Sequence, residues 1–101
     1  MTRTDRIKQM EDILDEAVPA IRALEKALEA YEEIYEKIRQ LEVYYTDGSW
    51  LQDYEADEQG KLPETLKRGV LSQDAVYDLL ANEQALKETL HRLTEKVNIR
   101  L

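Results

Sequence analysis

Apolar residues return every third or fourth position over most of the chain, the period of a helix with one apolar stripe. With Ile7 at heptad position a, the a positions are Ile7, Leu14, Ile21, Leu28 and Tyr35, and the d positions are Met10, Ala17, Leu24, Tyr31, Ile38 and Tyr45. Position g is apolar as well, at Ile13, Ala20, Ala27, Ile34 and Leu41. Three apolar positions in seven make a stripe wider than the a/d seam of a two-stranded coil, wide enough to touch two neighbouring helices. The opposite face carries Asp12, Glu16, Lys26, Glu29, Glu33 and Lys37, with Glu33 four residues before Lys37 in the favourable order. The pattern predicts one long helix over about 5–45, capped by Thr4 and ended by the Thr46-Asp47-Gly48 turn. Pro19 falls at position f, away from the stripe, but it lacks a backbone donor and crowds the carbonyl four residues back. A kink or a break near Ala17-Val18 is expected.

A second helix is predicted over about 73–98, with Ser72 as N-cap and Asp74 in its first turn, where a negative charge suits the helix dipole. Its apolar face is Val76, Leu79, Leu80, Leu86, Leu90, Leu93 and Val97, interrupted at one seam position by Glu83. The stretches 20–45 and 73–98 each measure about 39 Å at 1.5 Å per residue, so they match in length as an antiparallel pair. The connection between them, 46–72, is too long for a structureless loop. Ser49 and Gln52 have capping-box spacing, after which Trp50, Leu51 and Tyr54 share a helical face and Gly60 ends the piece. Pro63 suits the start of a second short helix, with Leu66 facing inward, Gly69 as a left-handed stop, and Val70 and Leu71 returning to the core. The expectation is a single all-α domain over 1–101: a long antiparallel helical hairpin with short helices in its connection, completing a helical bundle by dimerisation.

Such a hairpin gathers Tyr44, Tyr45, Trp50, Tyr54 and Tyr77 at its closed end, in a chain with no Phe. Aromatic side chains grouped this way ordinarily form a packed cap. The functional alternative is a small pocket in which Tyr hydroxyls and the nearby Asp47, Asp53, Asp74 and Asp78 converge on a ligand. Tyr44, Tyr45, Trp50, Asp53, Tyr54, Asp57, Lys67, Arg68 and Tyr77 make up the candidate binding surface.

Tyr44-Tyr45, Trp50, Asp53-Tyr54-Glu55, Asp57-Glu58, Gly60, Leu62-Pro63, the run Leu66-Lys67-Arg68-Gly69-Val70-Leu71-Ser72 and the run Asp74-Ala75-Val76-Tyr77-Asp78-Leu79-Leu80 form a long and unusual pattern. It resembles DUF4298, a family of short bacterial proteins known only as a domain of unknown function. The distinctive part covers residues 44–80; the flanking helices agree in length and helical character alone. The resemblance implies an all-helical bacterial cytoplasmic protein of about this length. It implies no activity and brings no catalytic residues.

Composition narrows the chemistry. There are 22 acidic side chains against 14 basic ones, one His and no Cys, for a net charge of -8. Disulfides, thiolate metal sites and cysteine nucleophiles are thereby excluded, and phosphate-driven nucleic-acid binding is disfavoured. The charged start and the lack of any run of eighteen apolar residues give no secretory or membrane-spanning signal, so no membrane partner and a cytoplasmic location are expected. More than half of the excess charge is local, because residues 47–64 hold six acidic and one basic side chain.

Individual motifs are weak. Glu88 and His91 have the Glu-x-x-His spacing of di-iron bundles, but there is one His and the pair faces away from the seam. Asp53, Glu55, Asp57 and Glu64 have calcium-loop spacing, but Glu58 stands where the loop needs Gly. A loose cation site on Asp53 and Asp57, four apart on a helix, is the remaining metal option. Lys67-Arg68 suits a phosphate or a carboxylate, or simply a charged surface. Gly48, Gly60 and Gly69 match no nucleotide-binding loop. The expectation is a protein without catalytic residues, cofactor or built metal site. It acts as a helical protein-interaction module that self-associates, with a ligand- or divalent-cation-binding module at the acidic aromatic end as the alternative.

Overall fold

The computed structural model describes residues 2–97. Helix α1 (Arg3–Thr46) is followed by helix α2 (Ser49–Glu58), a single 3-10 turn (Gly69–Leu71) and helix α3 (Ala75–Val97). Among the described residues there is no strand, so the fold class is all-α. The chain divides into two compact units, Met1–Ile38 and Arg39–Leu101.

The first unit is helical because its residues are mostly Ala, Leu, Glu, Lys, Arg and Ile, with no Gly to relax the backbone. It starts two residues earlier than the Thr4 reading. The Thr2 hydroxyl accepts the Asp5 N–H at 3.1 Å and the Asp5 carboxylate accepts the Thr2 N–H at 3.4 Å, a reciprocal cap that places Thr4 inside the first turn. The helix runs through Pro19 without a break. At an outward position the ring costs one hydrogen bond and disturbs no packed neighbour. No residue of α1 is buried, and its stripe is open: Ile7 is 54% exposed, Leu14 54%, Ile21 64% and Leu28 46%.

The second unit contains the core. Asp47 donates its N–H to the Val43 carbonyl at 2.9 Å, closing α1, and Gly48 then adopts φ 98°, a left-handed conformation that reverses the chain direction at little cost only for Gly. Gly48 is also the N-cap residue of α2, whose first helical residue is Ser49. The Ser49 capping box does not form. Ser49 lies inside the helix, and its N–H is held instead by the Asp47 carboxylate at 2.9 Å. Gly60, at φ 69°, ends α2 as expected.

No second short helix starts at Pro63. A turn closed by the Leu66 N–H on the Pro63 carbonyl at 3.1 Å takes its place, and Leu66 is 49% exposed rather than inward. Gly69 opens the 3-10 turn and is not left-handed; of the returning pair, Leu71 is buried and Val70 exposed. The Ser72 hydroxyl accepts the Ala75 N–H at 3.2 Å, so Ser72 caps α3 although the helix proper begins at Ala75. Residue 98, the expected end, lies outside the described residues.

The face that α3 turns inward is narrower than its apolar pattern. Val76, at 3% exposure, and Glu83, at 7%, are buried, with Leu80, Lys87 and Leu90 half-buried along the same row. Leu79, Leu86, Leu93 and Val97 are exposed.

Candidate functional site

The end of α1, helix α2 and the segment leading to α3 bring most of the expected aromatic residues together. Tyr45 meets Trp50 edge-on, with ring centroids 5.3 Å apart, and Trp50 stacks on Tyr54 at 5.1 Å and 16°. Trp50 and Tyr54 are neighbours because they stand at i and i+4 of α2. The Trp50 indole N–H donates to the Val70 carbonyl at 2.8 Å, and the Gln73 amide donates to the Tyr54 hydroxyl at 3.0 Å. These two bonds fasten α2 to the returning chain across about twenty residues. Tyr77 does not join the stack; it is 62% exposed and pairs with no other ring among the described residues.

The acidic residues are engaged one at a time. Tyr44 donates its hydroxyl to the Asp53 carboxylate at 2.7 Å. Partial burial, the Asp53 hydrogen bond and the negative charges of Asp53 and Asp47 push the Tyr44 phenol up to about 12. Asp47 is held below the usual carboxylate range because it accepts hydrogen bonds from the Ser49 backbone and side chain. Asp57 pairs with Arg68 at 3.0 Å, and the same guanidinium donates to the Pro63 carbonyl at 2.7 Å. Arg68 therefore ties the connection to α2, while Lys67 stays exposed. The pairing is legible in hindsight: Asp57 and Arg68 are each flanked by a second like charge, and only one of each is turned inward.

Because α2 is helical across Asp53, Glu55 and Asp57, the calcium-loop spacing does not fold into a loop. Among the described residues no three His, Cys, Asp or Glu side chains form a group able to hold a metal ion. Glu88 accepts a bond from Gln84 at 3.4 Å, and His91, 77% exposed, pairs with Glu95 at 3.2 Å. Both stay on the surface of α3.

Sequence reasoning missed a polar contact at the core. Arg39, seven residues before the end of α1, pairs with buried Glu83 of α3, which also lies 3.9 Å from Lys87; Arg39 reaches Glu42 at 3.6 Å. The signal was the interruption of the α3 seam by Glu83, which a burying fold had to answer with a cation.

A long helix followed by a short aromatic helix, a pinned connection and a second long helix defines a small all-helical protein whose connection is fastened to its short helix. The chain belongs to the DUF4298 family, a domain of unknown function, whose model matches residues 7–93. The match extends well beyond the 44–80 stretch on which the resemblance rested. No curated protein and no solved structure matches the chain. No helix among the described residues is long and apolar enough to cross a membrane.

Proposed function

We propose that the chain is a non-enzymatic helical interaction module of a bacterial cytoplasm that binds protein, and in particular its own copy. In this reading 20–45 and 73–98 lie antiparallel, and two hairpins complete a helical bundle. The observation that carries it is the stripe on α1, where Met10 at 51%, Ile13 at 51%, Ile21 at 64% and Leu24 at 45% exposure hold a regular heptad phase in water. Isolated apolar side chains on a surface need no explanation, but a continuous phased row is the signature of a covered face. The net charge of -8 argues against nucleic acid as the partner.

Light scattering at micromolar concentration tests this. The expected mass is twice 11.8 kDa, and an 11.8 kDa monomer at every concentration would defeat self-association. Cation binding at the acidic end is the weaker reading, since Asp53 is engaged by Tyr44 and Asp57 by Arg68. A saturable change in the emission of Trp50 on addition of micromolar Ca²⁺ would reverse that preference.

A further inference from the structure

The first unit carries its charges in blocks of alternating sign. Residues 3–8 hold three basic side chains and one acidic, and 11–16 hold four acidic and no basic. Residues 22–26 then hold two basic and one acidic, and 29–36 hold four acidic and no basic. A parallel in-register pair sets each acidic block against its own copy. An antiparallel pair centred on Pro19 sets 3–8 against the acidic block at 29–36, and 11–16 against 22–26. Charge alone therefore favours the second arrangement.

The apolar phase selects the same register independently. Antiparallel helices pack a positions against d positions, and when residues whose numbers add to 38 are opposed, Ile7 meets Tyr31, Met10 meets Leu28, Leu14 meets Leu24 and Ala17 meets Ile21. For an a/d seam acceptable apolar registers recur every seven residues, and one of them coincides with the charge-matched centre. On the e/b flank of that seam Lys8 comes opposite Glu29 and Glu32, and Asp15 opposite Arg22. At the same separations Glu11 comes opposite Glu25 and Glu29, and Asp15 opposite Glu25, three like-charge pairs that offset the attractive ones, so the preference rests on the net charges of the blocks. Pro19 lies at the centre on the outward face, where its ring meets no partner.

We propose that the face of α1 over residues 7–31 is an antiparallel two-fold interface with a second copy of this chain, in the register centred on Pro19. This rests on the self-association reading above and adds its direction and register. The chain has no Cys, so single cysteines report geometry directly. In the full chain, Ala20→Cys is expected to form a covalent dimer with a short bis-maleimide, since two copies of residue 20 meet near the axis. Leu28→Cys alone is expected not to cross-link, whereas a mixture of Leu28→Cys and Met10→Cys is. Efficient linking of Leu28→Cys to itself, with a dimeric mass, would overturn the antiparallel register and leave self-association standing. A monomeric mass throughout would overturn both. Charge reversal gives a second readout without cross-linking: Asp15→Arg and Arg22→Asp should each weaken the dimer about fivefold, and the double variant should recover it. Independent, additive losses would count against the opposition of these residues.

Discussion

Glu83 is the only charged side chain among the described residues that the fold buries, at 7% exposure, and it is held by Arg39 with Lys87 nearby. Taking a carboxylate out of water costs several kcal/mol unless a cation answers it, so the pair is better judged by what breaking it does than by its net worth. Arg39→Met is expected to cost about 2 kcal/mol, below the usual range for a buried pair because Arg39 is itself 27% exposed and Lys87 remains within reach. Arg39→Met with Glu83→Leu should restore near-normal stability, because no charge is then stranded. Urea denaturation of the three proteins measures this, and equal losses in the single and double variants would show that the arginine acts through packing alone. Tyr44 gives the pH prediction. Its proton is held more tightly in the fold, where the phenol stands at about 12, than in the unfolded chain at 10.0, so its contribution is complete below pH 10 and is lost as pH rises from there through about 12. Between pH 8 and pH 11 the urea midpoint of the natural protein should fall further than that of Tyr44→Phe.

At the scale of elements, the α1–α2 junction depends on backbone conformation more than on contacts. Gly48 at φ 98° has open space around the position of a β-carbon, so Gly48→Ala meets no clash and isolates the conformational term. A loss of about 1 kcal/mol in denaturation is expected, and no loss would show that the turn relaxes to another conformation. Pro19 acts in the opposite direction: Pro19→Ala supplies the missing hydrogen bond to the Asp15 carbonyl and should slow amide exchange over 15–23 by about tenfold or more. The helices themselves were legible because α1 and α3 keep a 3.6-residue period for many turns, and Gly60 and Ser72 mark ends by ordinary backbone rules. The errors fell where two local signals competed. Thr2-x-x-Asp5 caps the helix in place of Thr4, Asp47 holds the Ser49 N–H in place of a capping box, and Pro63 opens a turn whose carbonyl accepts from both Leu66 and Arg68. The aromatic cluster was legible except for Tyr77, which follows buried Val76 in sequence but is exposed. No pattern announced the Trp50–Val70 bond, since a backbone carbonyl carries no sequence signature.

For the whole molecule, the two units differ in what holds them. The second unit has buried Leu71 and Val76, an ion pair at the core and a pinned aromatic stack, whereas residues 3–38 of the first unit are helix with no buried residue and a proline in its interior. A lone helix of that kind is marginal in water, because helix stability in proteins comes mainly from covering an apolar face. If a second copy covers it, the helicity of the first unit must depend on protein concentration while the second unit stays folded. Trp50 is the only Trp and lies in the second unit, so its fluorescence reports that unit alone, while circular dichroism at 222 nm sums both. Dilution from about 100 μM to well below the dimer dissociation constant should reduce the 222 nm signal, by up to about half if residues 3–38 melt completely, and leave the Trp50 emission unchanged. Thermal melts at the lower concentration should then separate, with the dichroism falling before the fluorescence. Coincident melts that do not move with concentration would mean that α1 is stable without a partner, and the reason for assigning its stripe to an interface would be lost.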